Sequence, residues 1–322
     1  MATKTHSNTP KAAAATAGKP LIGVIGLGIM GGMMAETLLA SGFRVAGYDV
    51  TPAARARLKR AGGKSLMSTA AVTAKCDFLI TSLATSAALA TVMAEIAGAA
   101  ATGARPVVIE TSTLPLDDKL RAHAMLKRSG VTLLDCPISG TAARMKERTW
   151  TIFLSGSTTA CKSVLPILRA FTDSLPNVGV FGNGTRMKYA ANHLVAIYNV
   201  AYGEVVTLGR KMGLDVRQML ALFGPSPVLG TGVMRLRMPF MLDRTYSPPT
   251  MKVEVWQKDM QVIGDMAKSL DCPVPLFNAC APIYTAAMAQ GLAQEDTASV
   301  AEVLGAMAGL PAITRKKPAL RK

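Results

Sequence analysis

Lys188 and Asn192 stand four residues apart in GNGTRMKYAANHLVAIYNVAYGE, residues 182–204. In a helix both side chains share one face. An ammonium beside a carboxamide can protonate a carbonyl and orient it. A second group precedes them: Ser139, Gly140 and Thr141, within DCPISGTAARMKERTWTIFLSG (135–156), offer a hydroxyl and unhindered backbone N–H groups suited to a carboxylate. Nearer the N-terminus, LIGVIGLGIMGG (21–32) sets Gly26, Gly28 and Gly31 in a G-x-G-x-x-G spacing.

Each of these glycines has a separate use. Gly26 allows a tight turn, Gly28 lets a pyrophosphate approach bare backbone, and Gly31 lets helix and strand pack closely. The amides at the start of the following helix then face the phosphates. The next apolar run ends at Asp49, where a carboxylate can accept hydrogen bonds from an adenosine ribose and repel a 2′-phosphate. That favours NAD over NADP, and Arg55 and Arg57 just downstream temper the preference.

Groups so spread along the chain need a scaffold. From Leu21 to Gly182 short apolar runs alternate with longer amphipathic ones. The expected strands are 21–26, 44–49, 77–83, 106–110, 131–135, 151–156 and 177–182. Helices fit at 29–41, 52–61, 86–97, 115–129 and 158–171. This is the rhythm of an α/β, Rossmann-type, doubly wound and mostly parallel sheet. Beyond Gly182 it stops. Residues 183–213 read as one long helix with Gly213 as its C-terminal cap. Further helices are expected at 215–223, 252–270, 274–290 and 296–308, with the proline-rich 224–250 as a broken connection. The predicted organisation is a tail (1–20), a dinucleotide-binding domain (21–182), an all-α substrate and dimerisation domain (183–310) and a basic tail (311–322).

Composition narrows the function classes. With 322 residues, half of them apolar, the chain can bury two cores. Five scattered cysteines without CxxC spacing read as reduced thiols, and three histidines show no ligand spacing, so no metal site is expected. The net charge of +16 is misleading: three lysines in 1–20 and five cations in 311–322 supply 3 + 5 = 8 of it, with no acid in either tail. Solvated tails account for this without a specific nucleic-acid partner. Residues 1–20 lack the apolar stretch of a secretory signal, and no apolar run is long enough to span a membrane. A cytoplasmic protein is expected.

Taken together, GLGIMG (26–31), DCPISGT (135–141), GNGTRMKYAAN (182–192) and Lys258-Asp259 resemble the ordered motifs of the β-hydroxyacid dehydrogenase family, over about residues 21–308. The resemblance implies hydride exchange between a nicotinamide and the alcohol carbon of a short 3-hydroxy acid or its semialdehyde, in the manner of 3-hydroxyisobutyrate dehydrogenase. Tartronate semialdehyde or glyoxylate reduction is the nearest alternative activity. A non-catalytic NAD-binding sensor or scaffold is the alternative of another class. Gly26, Leu27, Gly28, Ile29, Met30, Gly31 and Asp49 would hold the cofactor, with Leu83, Ser112, Thr113 and Lys258 around it. Ser139, Gly140 and Thr141 would hold the substrate carboxylate, Lys188 would act as general acid and base, and Asn192 would orient the hydroxyl or Lys188. A homodimer or homotetramer through the helical domain is implied too, since an apolar helix as long as 186–212 needs cover on more than one side.

The chain departs from the family pattern at several places. Thr141, Arg144 and Arg148 stand where glycines are usual. Ala191 replaces an asparagine, Ala84 a proline, Thr37 an asparagine and Met251 a phenylalanine. The two arginines either add a cationic clamp for a second acidic or phosphate-like group, or turn outward. His193, about 100° from Asn192 on the helix, reads as a packing residue, and Cys136 as a small buried one. Asp259 either caps or pairs with a lysine, or takes part in the site.

Overall fold

Six short strands carry the first half of the chain in the computed structural model, which describes residues 19–140, 145 and 147–312. They are β1 (Leu21–Ile25), β2 (Arg44–Tyr48), β3 (Lys64–Ser65), β4 (Phe78–Thr81), β5 (Val107–Glu110) and β6 (Thr132–Asp135). All pair in parallel, in the order β3-β2-β1-β4-β5-β6. β1 lies between β2 and β4, with Ile22 opposite both Val45 and Phe78. The chain crosses sides there, which opens a crevice at the carboxyl ends of the strands.

Both faces of the sheet are covered, which is why its strands read as continuous apolar runs. Ile22, Val24, Ile80 and Ile109 join one core with α1 (Ile29–Ala40), α2 (Pro52–Arg60) and α6 (Thr158–Leu168). Ile25, Leu79, Val108 and Leu133 join another with α3 (Thr69–Thr73), α4 (Ser86–Ala100) and α5 (Leu116–Arg128). The brief β3 and α3 escaped sequence analysis because neither is long enough to show a period.

After β6 the chain makes a small antiparallel pair, β7 (Ile138–Ser139) and β8 (Thr151–Ile152). Gly140 closes against Trp150: a Cβ there would lie 2.3 Å from the indole ring, and φ is +150°. The strands expected at 151–156 and 177–182 do not form as such. Only Thr151–Ile152 is a strand of the first, and the second meets it through an isolated bridge, Leu154 to Asn177, and a bond from Gly156 N to Gly179 O at 2.8 Å. Asn177 Oδ1 accepts from Gly179 N at 2.9 Å, a local turn that competes with a ladder.

The chain divides into two compact units, up to Arg186 and from Met187. The second is all helical: α7 (Asn183–Lys211, whose first turn belongs to the first unit), α8 (Val216–Phe223), α9 (Gly232–Asp243), α10 (Val253–Ser269), α11 (Pro275–Ala289), a 3₁₀ turn at Thr297–Ser299 and α12 (Val300–Met307). Its core centres on Val200, Met238, Trp256, Ile263, Tyr284 and Leu304. The expected broken connection at 224–250 therefore contains a helix, α9. Thr231 caps it through Met234 N at 3.0 Å, and Met234, Met238 and Met241 are buried on one stripe, which outweighs the backbone bond that Pro239 removes. No helix among the described residues is long and apolar enough to cross a membrane.

Candidate active site

The glycine loop joins β1 to α1. Leu27 N donates to Asp49 Oδ2 at 2.6 Å and Thr51 N to Asp49 Oδ1 at 2.7 Å, so the carboxylate at the end of β2 ties the loop in place. Gly31 is required by close approach, since a Cβ would come within 1.9 Å of Gly26 O. Gly28 differs: no described residue lies within 4 Å of a Cβ built there. The face over Gly28 is thus open, and no side chain caps the first turn of α1. Its N–H groups are left for an anion. Ile29 is exposed and Met30 half-buried beside them. These features fit the pyrophosphate of a dinucleotide.

Two arginines border the loop. Arg55 Nη1 donates to Asp49 O at 2.5 Å, and its guanidinium lies 5.8 Å from the centre of the Tyr48 ring. Arg57 Nη2 donates to Leu27 O and, at 3.2 Å, to Gly28 O. After β4 and β5, Leu83 N donates to Ser112 Oγ at 2.8 Å, and Ser112 N to Glu110 Oε1 at 2.9 Å, with Thr113 next, half-buried.

The 135–156 segment is less uniform. Ser139 is half-buried on β7 opposite Thr151, and Gly140 is exposed. Thr141 and Arg144 lie outside the described residues. Arg148 takes the outward course: Nη2 meets Asp173 Oδ1 at 3.0 Å with both side chains exposed. Burial, then Asp135, push the Cys136 thiol well up, consistent with a packed thiol.

Lys188, Asn192, Lys258 and Asp259 form the third group, on α7 and α10. Lys188 and Asn192 are both buried. Asn192 Nδ2 donates to Asp259 Oδ2 at 2.8 Å, which fixes the amide's orientation because a carboxylate only accepts. Lys258 Nζ lies 3.1 Å from Asp259 Oδ1. The Lys188 amine has no hydrogen-bond or ion-pair partner among the described residues. Its burial lowers the pKa to about 8, against the upward pull of Asp259 and with some help from Lys258. Asp259, left open by sequence analysis, is thus the hub of the group. His193 stacks on Phe277 with centroids 5.1 Å apart, as a packing residue would.

One site-bordering group went unnoticed in the sequence: Glu110, Lys119 and Asp135, all fully buried. The signal was there in Lys119, which shares the apolar stripe of α5 with Leu116, Ala122 and Leu126.

Residues 21–182 match the family model of the NAD binding domain of 6-phosphogluconate dehydrogenase, and residues 182–304 match that for NAD-binding of NADP-dependent 3-hydroxyisobutyrate dehydrogenase. The chain belongs to the β-hydroxyacid dehydrogenase family. As a member it is an NAD(P)-dependent oxidoreductase acting on hydroxy acids. The L-threonate dehydrogenase of Cupriavidus necator is 29% identical over 285 residues, 88% of this chain and 95% of that one. The 2-(hydroxymethyl)glutarate dehydrogenase of Eubacterium barkeri is 26% identical, over 90% of this chain and 96% of its own. The crystal structure of a 3-hydroxyisobutyrate dehydrogenase from Salmonella typhimurium superposes with a TM-score of 0.78 at 25% identity, covering 88% of this chain and all of that one.

Two predictions follow from this geometry. Gly28→Ala should melt like the wild type yet lose at least about tenfold in cofactor affinity by fluorescence titration, whereas Gly31→Ala should lose melting temperature as well. Lys188 has a folded pKa below its ordinary 10.5, so it costs stability in full below about pH 8, and the cost disappears as pH rises to about 10.5. Lys188→Met should therefore be more stable than wild type by on the order of 1–3 kcal/mol at about pH 7 in urea unfolding, with the gap closing by about pH 10.5.

Proposed function

We propose that this enzyme catalyses reversible oxidation of a short 3-hydroxy acid to its semialdehyde, in the manner of 3-hydroxyisobutyrate dehydrogenase, with Lys188 as the proton-transfer group. One observation carries this reading: a buried amine without a bonded partner among the described residues, lowered to about 8, on the same helix as an amide oriented by Asp259. A lysine at its ordinary pKa is a poor base near neutrality, and desolvation makes this one usable. Bound NAD(P), when present, supplies the hydride acceptor or donor. In oxidation the Lys188 amine takes the hydroxyl proton; in reduction the ammonium returns it to the carbonyl oxygen. Asn192, with its Nδ2 committed to Asp259, presents Oδ1 to the substrate hydroxyl or to Lys188.

The remaining assignments are part of the same proposal. Ser139, Gly140 and Thr141 hold the substrate carboxylate. Gly26, Leu27, Gly28, Ile29, Met30 and Gly31 cradle the pyrophosphate, with Asp49 at the ribose and Leu83, Ser112, Thr113 and Lys258 near the nicotinamide end. NAD is preferred because Asp49 sets a negative charge at the end of β2, and NADP is accepted more weakly with help from Arg55. Residues 21–182 serve the cofactor and 183–310 the substrate and self-association, between tails at 1–20 and 311–322. The protein works in the cytoplasm as a homodimer or homotetramer. Met187, Leu194 and Leu208 are exposed along α7, and Met212 just past its end, an apolar row that a second copy would cover.

The choice of acid rests on shared chemistry. 3-Hydroxyisobutyrate and 2-(hydroxymethyl)glutarate both carry a hydroxymethyl group on the carbon next to a carboxylate, which one carboxylate clamp and one proton-transfer amine can serve. A panel of 3-hydroxyisobutyrate, 2-(hydroxymethyl)glutarate, L-threonate, tartronate semialdehyde and glyoxylate, followed at the reduced-nicotinamide absorbance with both cofactors, tests this. A hydroxymethyl acid should give the highest kcat/KM, and turnover of glyoxylate or tartronate semialdehyde alone would overturn the assignment. Lys188→Ala should lower kcat by about 10²–10⁴-fold with cofactor affinity kept. In the wild type, kcat/KM for oxidation should rise, and for reduction fall, as pH passes about 8.

A further inference from the structure

Glu110, Lys119 and Asp135 form a fully buried row beneath the ends of β5 and β6. Lys119 Nζ lies 2.6 Å from Glu110 Oε2 and 2.9 Å from Asp135 Oδ1. Burial by itself would pull this lysine's pKa down, but Glu110 and then Asp135 outweigh it and hold the ammonium above its ordinary range. Two carboxylates on one ammonium leave an excess negative charge. It is directed at the start of α7. Thr185 N donates to Asp135 Oδ2 at 2.7 Å and Thr185 Oγ1 to Asp135 Oδ1 at 2.8 Å. Ser155 Oγ donates to Asp135 O at 2.9 Å and accepts from Gly184 N at 3.0 Å. The positive end of a 29-residue helix thus sits on a buried anion.

A fold does not need this. Well-packed apolar residues in place of a buried ion pair are often as stable or more so. What an apolar contact cannot do is fix a helix both along and around its axis. Paired bonds from the amide and the hydroxyl of one residue to the two oxygens of one carboxylate do both. Thr185 and Lys188 are three residues apart on that helix, so they are neighbours on its surface. At the other end of the row, Glu110 holds Ser112 N, and Ser112 Oγ holds Leu83 N.

We propose that Asp135, held by Lys119 and Glu110, is a positioning residue: through Thr185 it sets the height and rotation of α7, and so the place of the Lys188 amine. This rests on the reading of Lys188 as the proton-transfer group.

The test uses the full-length enzyme with its best substrate from the panel. Thr185→Val keeps shape and loses the hydroxyl donor; Thr185→Ser keeps the donor. Thr185→Val should lower kcat about 10–100-fold, leave cofactor Kd within about twofold, and raise the solvent deuterium isotope effect on kcat. Thr185→Ser should recover kcat to within about threefold. Should Thr185→Val not fold, Ser155→Ala, which removes the tie to Gly184, is expected to show the same split. In the double variant with Lys188→Ala, Thr185→Val should cost nothing further, because its effect runs through the amine. Wild-type kcat in Lys188→Ala would remove the reading of Lys188 itself. A strong loss in Lys188→Ala with no loss in the folded Thr185→Val or Ser155→Ala, or an undiminished Thr185→Val loss in the double variant, would overturn the positioning role alone.

Discussion

The group on α7 and α10 turns on desolvation: the Lys188 amine is buried with no bonded counter-ion among the described residues. Among the described residues two lysines are buried, and their surroundings act on them in opposite ways. Lys119 has two carboxylates within ion-pair distance and stays charged. Lys188 has none bonded among the described residues, and burial lowers its pKa to about 8. The acid that acts on it, Asp259, has one oxygen on Asn192 and the other on Lys258, so its attraction for Lys188 acts through space only. A direct ion pair would have reversed the outcome, because a bonded carboxylate stabilises the charged form. The same Asp259 thereby orients the amide and restrains a second cation.

The cofactor end obeys a different constraint, that of space. At Gly31 a side chain cannot exist because backbone occupies its place; at Gly28 a side chain would meet no described residue and would fill the open surface there. Asp49 accepts from Leu27 N on one oxygen and from Thr51 N on the other, so the carboxylate at the end of β2 shapes the loop. Steric and hydrogen-bonding demands of this kind do not depend on the acid being oxidised. This accounts for how relatives at 26–29% identity, bearing the names of different hydroxy acid dehydrogenases, match along nearly the whole chain.

Much of this was legible before the structure. Five of the six strands of the parallel sheet followed from apolar runs separated by amphipathic segments, and the long helix from an uninterrupted pattern ending at Gly213. The Lys188–Asn192 pair followed from spacing alone. The misreadings have local causes. Residues 177–182 look like a strand, but the Asn177 side chain turns the backbone. The prolines of 224–250 suggest a break, but buried methionines hold α9 across Pro239.

The amino-acid sequence by itself determined the periodicities, the glycine spacing and the membership in a family, because these depend on neighbours within one helix, strand or turn. Only the tertiary structure decided the opposite pKa shifts of the two buried lysines, the partners of Asp259 and the anchoring of the start of α7 on Asp135. Those depend on which groups from distant positions meet where water is absent: Asn192 meets Asp259 across 67 positions, and Thr185 meets Asp135 across 50. Desolvation and pairing are properties of the folded surroundings, and no short window of residues contains them.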